Sequence, residues 1–460
     1  MSMNTRTGLT RRHFIKSNLA AALAASAFPS IIPASALGRD GATAPSERVA
    51  VGCIGVGERG SGVMGHFLQQ NSCQVTAVCD VKQDVLDKAK AAADKRYENK
   101  DCQTYGDFRQ LLARKDLDAV LIASTDNWHV LHALAAVEAG KDLYVEKPLG
   151  LTLAEDQALR KAVHARKRVF QFGTQQRSDR KFWLACELVR NGCIGKLKHI
   201  NAWAPGSRPG GSTKQVPPPA TLNYDFWLGP AAARPYTEDL TAWQLSKKTW
   251  WFISDFALGW IAGWGIHPMD IALWGAGDLT SGNVDISGKG RFPTVGACNT
   301  ATTWDVDFAF ERGLTMKFVG APYGAPDEPF AHHDEWTARY GEINDHGTAF
   351  EGSDGWVLVD REHIKMSPES LLDLNPDSLK TKLVRSSDHV GGFLNAVKTR
   401  GQTVCPIDEA VLSDAFCHVA DIALRLNRKV TYDTQAERFL KDDEANQRLK
   451  LRSMRAPWKI

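Results

Sequence analysis

Between Val49 and Asp80 the chain sets out strand, glycine-rich turn, helix, strand and acid in an order that few folds accommodate. Val49-Ala50-Val51-Gly52-Cys53-Ile54 is nearly all apolar, the composition of a strand buried on both faces of a parallel sheet. It runs straight into Gly55-Val56-Gly57-Glu58-Arg59-Gly60, and a helical stretch through Met64, Phe67 and Leu68 follows. The glycines have separate tasks: Gly55 permits the tight turn, Gly57 lets a pyrophosphate approach the backbone, and Gly60 allows close helix packing. The helix start, with Glu58 and Arg59, offers unpaired N–H groups and a positive dipole end to the phosphates. A second strand over 74–79 ends in Asp80. A carboxylate there accepts hydrogen bonds from the ribose hydroxyls and repels a 2′-phosphate, which favours NAD over NADP. Lys82 lies close enough to blunt that preference, so NADP stays open. A Gly-x-Gly-x-x-Gly run alone says little; all five features in order predict a dinucleotide site.

The alternation continues. Ala119–Ala123 reads as a strand, a helix from His129 to Ala139 ends at Gly140, and Leu143–Val145 is another strand. Thr152-Leu153-Ala154-Glu155 is a capping box opening a helix to about Arg166, and Val169–Phe172 closes the sheet. This pattern to about residue 173 specifies a doubly wound α/β domain. Beyond residue 174 the strict alternation stops. Leu314–Val319 and Trp356–Val359 lie between Gly, Pro and Asp turns, as antiparallel strands do, while Val390–Val397 and Val411–Leu426 carry helical spacing. The proline- and glycine-rich stretch 205–219 reads as a mobile loop near the cleft.

Of 460 residues, 43% are hydrophobic and 24% charged, which excludes collagen-like, disordered and polytopic membrane chains and leaves room for two or three domains. The formal charge of +3 belongs to the N-terminus, where residues 1–36 hold Arg6, Arg11, Arg12 and Lys16 and no acid. Nothing in the balance points to nucleic acid as a partner. The order of Arg11-Arg12, an Ala-rich apolar stretch over 19–32 and Ala34-Ser35-Ala36 is that of a signal peptide. The paired arginines look like a twin-arginine export signal, implying the twin-arginine export machinery as partner and a periplasmic destination. Residues 37–46 read as a linker, so the folded part begins at about residue 47. Nine cysteines without a Cys-x-x-Cys pair read as buried small hydrophobes, not a disulfide framework.

At Glu146-Lys147-Pro148 the sequence reaches residues that carry a resemblance. With the Gly55/Gly57/Gly60 fingerprint, Ser124-Thr125-Asp126-Asn127-Trp128-His129, Asp225–Pro230 and Trp264–Trp274, they make the chain resemble the glucose–fructose oxidoreductase, inositol dehydrogenase and rhizopine catabolism (Gfo/Idh/MocA) family over residues 47–460. The resemblance implies an N-terminal Rossmann domain over 47–173 and a C-terminal α/β domain over 174–440 with a large, open, mostly antiparallel sheet. A tail over 441–460 would pack back across the molecule. It also implies a bound nicotinamide coenzyme, a sugar or polyol substrate between the domains, and a homo-oligomer, dimer or tetramer. By the same resemblance Ser124, Thr125, Asn127, His129, Glu146, Lys147, Gln175 and Trp227 join the coenzyme set, and Gln176 and Arg177 lie near the substrate.

Lys147 precedes proline and is pushed into extended geometry at the carboxyl end of a parallel strand, where open α/β sheets place ligands. The family's matching lysine contacts the reacting hydroxyl, and a cation there would stabilise a developing alkoxide. His267 matches the family's acid/base histidine, and its ordinary pKa suits proton exchange near neutrality. On a helix, Asp270 at i+3 shares its face and could orient the ring. The chain departs from the family at Gly263, where an aspartate is common. Either Asp255, Asp270 or the substrate substitutes for it, or the chemistry is altered.

His332-His333-Asp334-Glu335 reads as a solvated loop, since adjacent histidines point apart and no second ligand cluster shows metal spacing, so no metal is expected. Asp388-His389 reads as an N-cap with a solvated histidine. The leading expectation is an exported NAD(P)-dependent oxidoreductase acting on a sugar or polyol. The alternatives are a glycosidase with tightly bound NAD that works by transient oxidation and elimination, and a non-catalytic carbohydrate-binding descendant. Export favours a captive coenzyme, because free NAD is scarce outside the cytoplasm.

Overall fold

The computed structural model describes residues 44–243, 247–323 and 330–460. The export signal over 1–36 and the first part of the linker lie outside the described residues. From Val49 on, the chain forms two sheets.

The first sheet is parallel and six-stranded, in the order β3-β2-β1-β4-β5-β6. Its strands are β1 (Val49–Ile54), β2 (Cys73–Cys79), β3 (Gln103–Tyr105), β4 (Ala119–Ile122), β5 (Asp142–Val145) and β6 (Phe170–Phe172). The helix Glu58–Gln69 buries Val63, Met64, Phe67 and Leu68 against it, the face that its apolar spacing dictates. Strand order reverses between β1 and β4, and the carboxyl ends there form a crevice. The short β3, half exposed and polar, carries no apolar run by which the sequence could announce it.

The second sheet has nine strands in the order β13-β12-β11-β7-β10-β9-β8-β14-β15. They are β7 (Leu197–Pro205), β8 (Asn283–Arg291), β9 (Thr303–Phe310), β10 (Thr315–Ala321), β11 (Gly347–Gly352), β12 (Trp356–Val359), β13 (Ile364–Ser367), β14 (Val430–Asp433) and β15 (Arg438–Phe439). Only β7 and β10 run parallel; the other pairs are antiparallel. Along β9, Trp304, Val306, Phe308 and Phe310 point inward while Asp305 and Asp307 point out, the alternation of a sheet with one core face. The helices Arg180–Arg190, Ile266–Ala276 and Ile407–Leu426 cover that core face. Between Leu153–Arg166 and Ile407–Leu426, His418 forms ion pairs with Asp156 at 3.4 Å and Asp414 at 3.3 Å. Burial works against its charge, but the two carboxylates prevail and raise it to about 10.

Two late segments return to the first domain. The helix His389–Thr399 inserts Val390, Phe393 and Leu394 into the core beside Val51, Phe67 and Tyr144. It therefore packs with the nucleotide domain, although it falls within the span 174–440 that the sequence assigns to the second. Its N-cap is Asp388, whose carboxylate accepts from the Gly391 N–H. His389 is buried, not solvated: it bonds the Phe172 carbonyl and Ser178 Oγ, and burial lowers it to about 4. The C-terminal tail also runs back, with Arg452 on Glu155 at 2.7 Å and Trp458 against Trp128.

Candidate active site

The carboxyl ends of β1, β2, β4 and β5 open into a cleft. At its floor Gly55 takes φ +77°, and a Cβ there would meet the Ser124 amide at 2.4 Å. Around Gly57 no atom lies within 4 Å of where a Cβ would be, so a ligand can approach the backbone. A Cβ at Gly60 would stand 1.9 Å from the Gly55 carbonyl oxygen, so the helix can sit this close only on glycine. No side chain caps the helix at Gly57, which leaves its first N–H groups and dipole end for an anion.

Asp80 lines the same cleft, its carboxylate accepting from the Val56 N–H at 2.9 Å and the Lys82 N–H at 3.0 Å. Burial pushes it up to about 6 against those bonds and the Lys82 charge. Glu58 pairs with Lys248 at 2.9 Å across the opening. Ser124, Thr125, His129 and Trp227 line the walls. His129 is held between the Pro148 carbonyl at 2.7 Å and the Ser124 carbonyl at 3.1 Å, and burial keeps its pKa low. Two residues expected on the coenzyme instead brace the wall. Asn127 donates to the Leu228 carbonyl and accepts from Thr125, and Gln175 donates to Tyr144 Oη and Glu146.

At the end of β5, Glu146 is buried and paired with Arg59 at 2.9 Å. Burial alone would raise its pKa; Arg59 and Lys147 outweigh burial and lower it. Lys147 follows, half-buried in the cleft wall, its ammonium donating to the Gly263 carbonyl at 2.6 Å and lying 5.9 Å over Trp251. Burial lowers its pKa. Asp126 faces the same space, and burial pushes it well above the carboxylate range.

His267, on the helix Ile266–Ala276, is buried edge-on to Trp264 at 5.7 Å. Its Nδ1 has no hydrogen-bond partner among the described residues. Burial first, then the charges of Lys147, Arg361, Arg59 and His346, hold its pKa well below the ordinary histidine value. Lys147, through the Gly263 carbonyl, and His267, through the Trp264 ring, thus meet the same two-residue segment although far apart in sequence.

Four residues expected at the substrate or the reacting group are elsewhere. Asp270 does not orient His267: its buried carboxylate takes Arg177 at 2.6 and 2.7 Å and the Ser413 hydroxyl at 2.7 Å. Arg177 is accordingly a core residue, bonded also to Glu409 and the Val404 carbonyl. Asp255 sits on the surface, paired with Arg234 at 3.2 Å. Gln176 is buried, and it does not line the cleft. His332 to Glu335 open the helix His333–Tyr340, not a loop, and His332 is tied to Asp305 at 2.9 Å. The sequence reading missed Lys248 and Arg361, which sit in irregular segments without periodicity. Asp126 was inside a motif already noted, but only the fold shows that burial raises its pKa.

The comparisons agree with this architecture. Residues 49–174 match the Gfo/Idh/MocA oxidoreductase family model for the NAD-binding Rossmann fold, and residues 341–460 match that family's C-terminal alpha/beta domain. A glycosyl hydrolase family 109 protein of Shewanella pealeana is 32% identical over 209 residues, 42% of this chain and 45% of that protein. An alpha-N-acetylgalactosaminidase of Shewanella oneidensis is 32% identical over 207 residues, with the same shares covered. The match thus spans about half the length of these curated relatives. Among solved structures, a WlbA dehydrogenase of Bordetella pertussis in complex with NADH and UDP-GlcNAcA superposes with a TM-score of 0.60 at 14% identity, covering 83% of this chain and 98% of that one. A myo-inositol 2-dehydrogenase of Lactobacillus plantarum gives 0.54 at 17% identity, covering 83% and 99%. At such identities the likeness speaks for the fold alone.

Proposed function

Because the chain carries the NAD-binding Rossmann domain and the C-terminal domain of the Gfo/Idh/MocA oxidoreductase family, we propose that it transfers hydride at a hydroxyl of a sugar or polyol. The observation that carries this reading is Lys147 in the wall of a dinucleotide cleft, bonded to the carbonyl of Gly263, with His267 packed on the ring of the next residue, Trp264. The residues present fit such a coenzyme: the open backbone at Gly57, the uncapped helix start, and a buried carboxylate at Asp80. Gly55, Gly57 and the helix start would hold the pyrophosphate, and Asp80 the ribose, which favours NAD over NADP. A nicotinamide bound there would supply the acceptor for hydride leaving the substrate carbon. Lys147 stabilises the alkoxide that forms on the substrate oxygen. The neutral imidazole of His267 takes the hydroxyl proton and returns it in the reverse direction.

A second reading rests on the names of the relatives. Glycosyl hydrolase family 109 proteins match the chain at about a third identity, which supports a glycosidase that oxidises a sugar hydroxyl transiently, eliminates the aglycone and restores the hydroxyl. Lys147 and His267 would serve the same proton and charge movements, with no net redox. Export to the periplasm, argued from residues 1–36, fits either reading if the coenzyme travels bound. Denaturing the purified protein and measuring released NAD(H) by absorbance and mass tests the coenzyme. Net NADH from added NAD and a free sugar supports the dehydrogenase. Cleavage of aryl glycosides without net NADH supports the glycosidase, and absence of both with no coenzyme bound overturns the proposal.

A further inference from the structure

Around Trp264 the protein gathers several cationic side chains. Arg361 lies with its guanidinium 4.4 Å from the centre of the Trp264 ring. The same indole is 5.7 Å from His267 and 4.9 Å from His346, and Lys147 donates to the carbonyl of Gly263, one residue before it. Arg361 stands in the turn joining β12 to β13, and this turn is fixed. Asp360, buried, accepts the backbone N–H groups of Glu362 at 2.8 Å and His363 at 2.6 Å and the Asn344 amide at 3.0 Å. Its carboxylate is thereby committed to the turn.

Of the other acids nearby, Asp126 faces Lys147 across the cleft with its Oδ2 unbonded among the described residues, and two more are committed. Asp345 bonds His346 at 2.8 Å, and Glu146 bonds Arg59 and Gln175. Among the described residues no carboxylate hydrogen-bonds or ion-pairs with Arg361 or Lys147. The space beside Gly263 is unfilled as well: a Cβ there would meet only Trp260 Cδ1, at 3.3 Å. A guanidinium laid on an indole keeps its N–H edge free and presents it as a planar fork, which matches a carboxylate or a sulfate or phosphate ester.

We propose that Arg361, Trp264 and Lys147 form an anion subsite, so that the substrate is an acidic sugar whose charged group docks on Arg361 beside the reacting hydroxyl. This rests on the hydride-transfer reading above and narrows its substrate class. It also supplies the negative charge that Asp255 and Asp270, both paired elsewhere, do not bring to His267. Placed among Lys147, Arg361, Arg59 and His346, that charge shifts the imidazole back toward its working range.

Calorimetric titration of the purified protein, with and without added NAD, tests the subsite. The probes are D-galacturonate, D-glucuronate and glucose 6-sulfate against D-galactose and D-glucose. At least one acidic sugar should bind about tenfold or more tightly than its neutral parent, and Arg361→Gln should erase most of that difference without lowering the melting temperature. The uronate and sulfate arms identify which oxyanion is taken. Gly263→Asp, which sets a carboxylate beside Lys147, should weaken the acidic sugars by a similar factor. Equal affinity for acidic and neutral sugars, no binding by any acidic sugar, or a preference that survives Arg361→Gln overturns the subsite. Failure of NAD to bind would overturn the hydride-transfer reading separately, since the sugar preference is also measured without coenzyme.

Discussion

The ammonium of Lys147 donates to the carbonyl oxygen of Gly263 at 2.6 Å, so a backbone oxygen and not a carboxylate holds the lysine in place. A carbonyl uses one of three ammonium donors and adds no negative charge, which leaves Lys147 two donors for the cleft. Lys147→Met should therefore lower turnover by about 10²–10³-fold, the scale of losing one charged donor at a developing oxyanion. Coenzyme binding, followed by NADH fluorescence, should change little. Unchanged turnover would remove Lys147 from the chemistry.

His267 carries a pKa well below the ordinary histidine value because burial and the cations around it disfavour a further positive charge. A lowered pKa keeps the imidazole neutral, and so able to accept a proton, throughout the neutral range and for some way below it. The profile of kcat/KM for oxidation, which reports the free protein, should thus show no acidic limb from this group near pH 6.5. A limb at that value that disappears in His267→Asn would contradict the arrangement. A limb in kcat alone would report the imidazole with substrate bound.

Arg177 and Asp270 form a buried ion pair, with side chains 2% and 1% exposed. Arg177→Ala would leave the carboxylate with only the Ser413 hydroxyl and should cost about 3–5 kcal/mol in urea unfolding. Arg177→Met combined with Asp270→Leu should cost much less, because no charge is left stranded. If Arg177 instead served the substrate, the single variant would raise KM with stability intact.

The nucleotide domain was legible because its signals are local: apolar runs, glycines whose spacing the turn requires, and an acid at the end of β2. Lys147 was legible for the same reason, as its motif lies at the end of a strand. Asp270 misled because i+3 spacing fixes a shared helix face but not the partner across it, and Arg177 arrives from a distant segment to take the carboxylate. His389 looked solvated after its N-cap, yet the helix it begins packs into the first domain's core, a long-range event without local trace. Arg361 had no pattern at all, since a turn residue acquires meaning only from the indole beneath it.

Asp80 offers a test of coenzyme choice that pH can read. Its carboxylate, which burial pushes up to about 6, is ionised above that value and protonated below it. Ionised, it accepts from the ribose hydroxyls and repels a 2′-phosphate; protonated, it does neither well. Preference for NAD over NADP should therefore shrink as pH falls through about 6. The 2′-phosphate also gains a proton near that pH, which acts in the same direction. Asp80→Asn separates the two, because only the phosphate then titrates. Asp80→Ala should weaken NAD by about 10- to 100-fold, the scale of losing hydrogen bonds to a charged group, and NADP by less. Fluorescence titrations of NADH and NADPH across pH 5–8 measure both, and equal losses for the two coenzymes would show that Asp80 does not read the ribose.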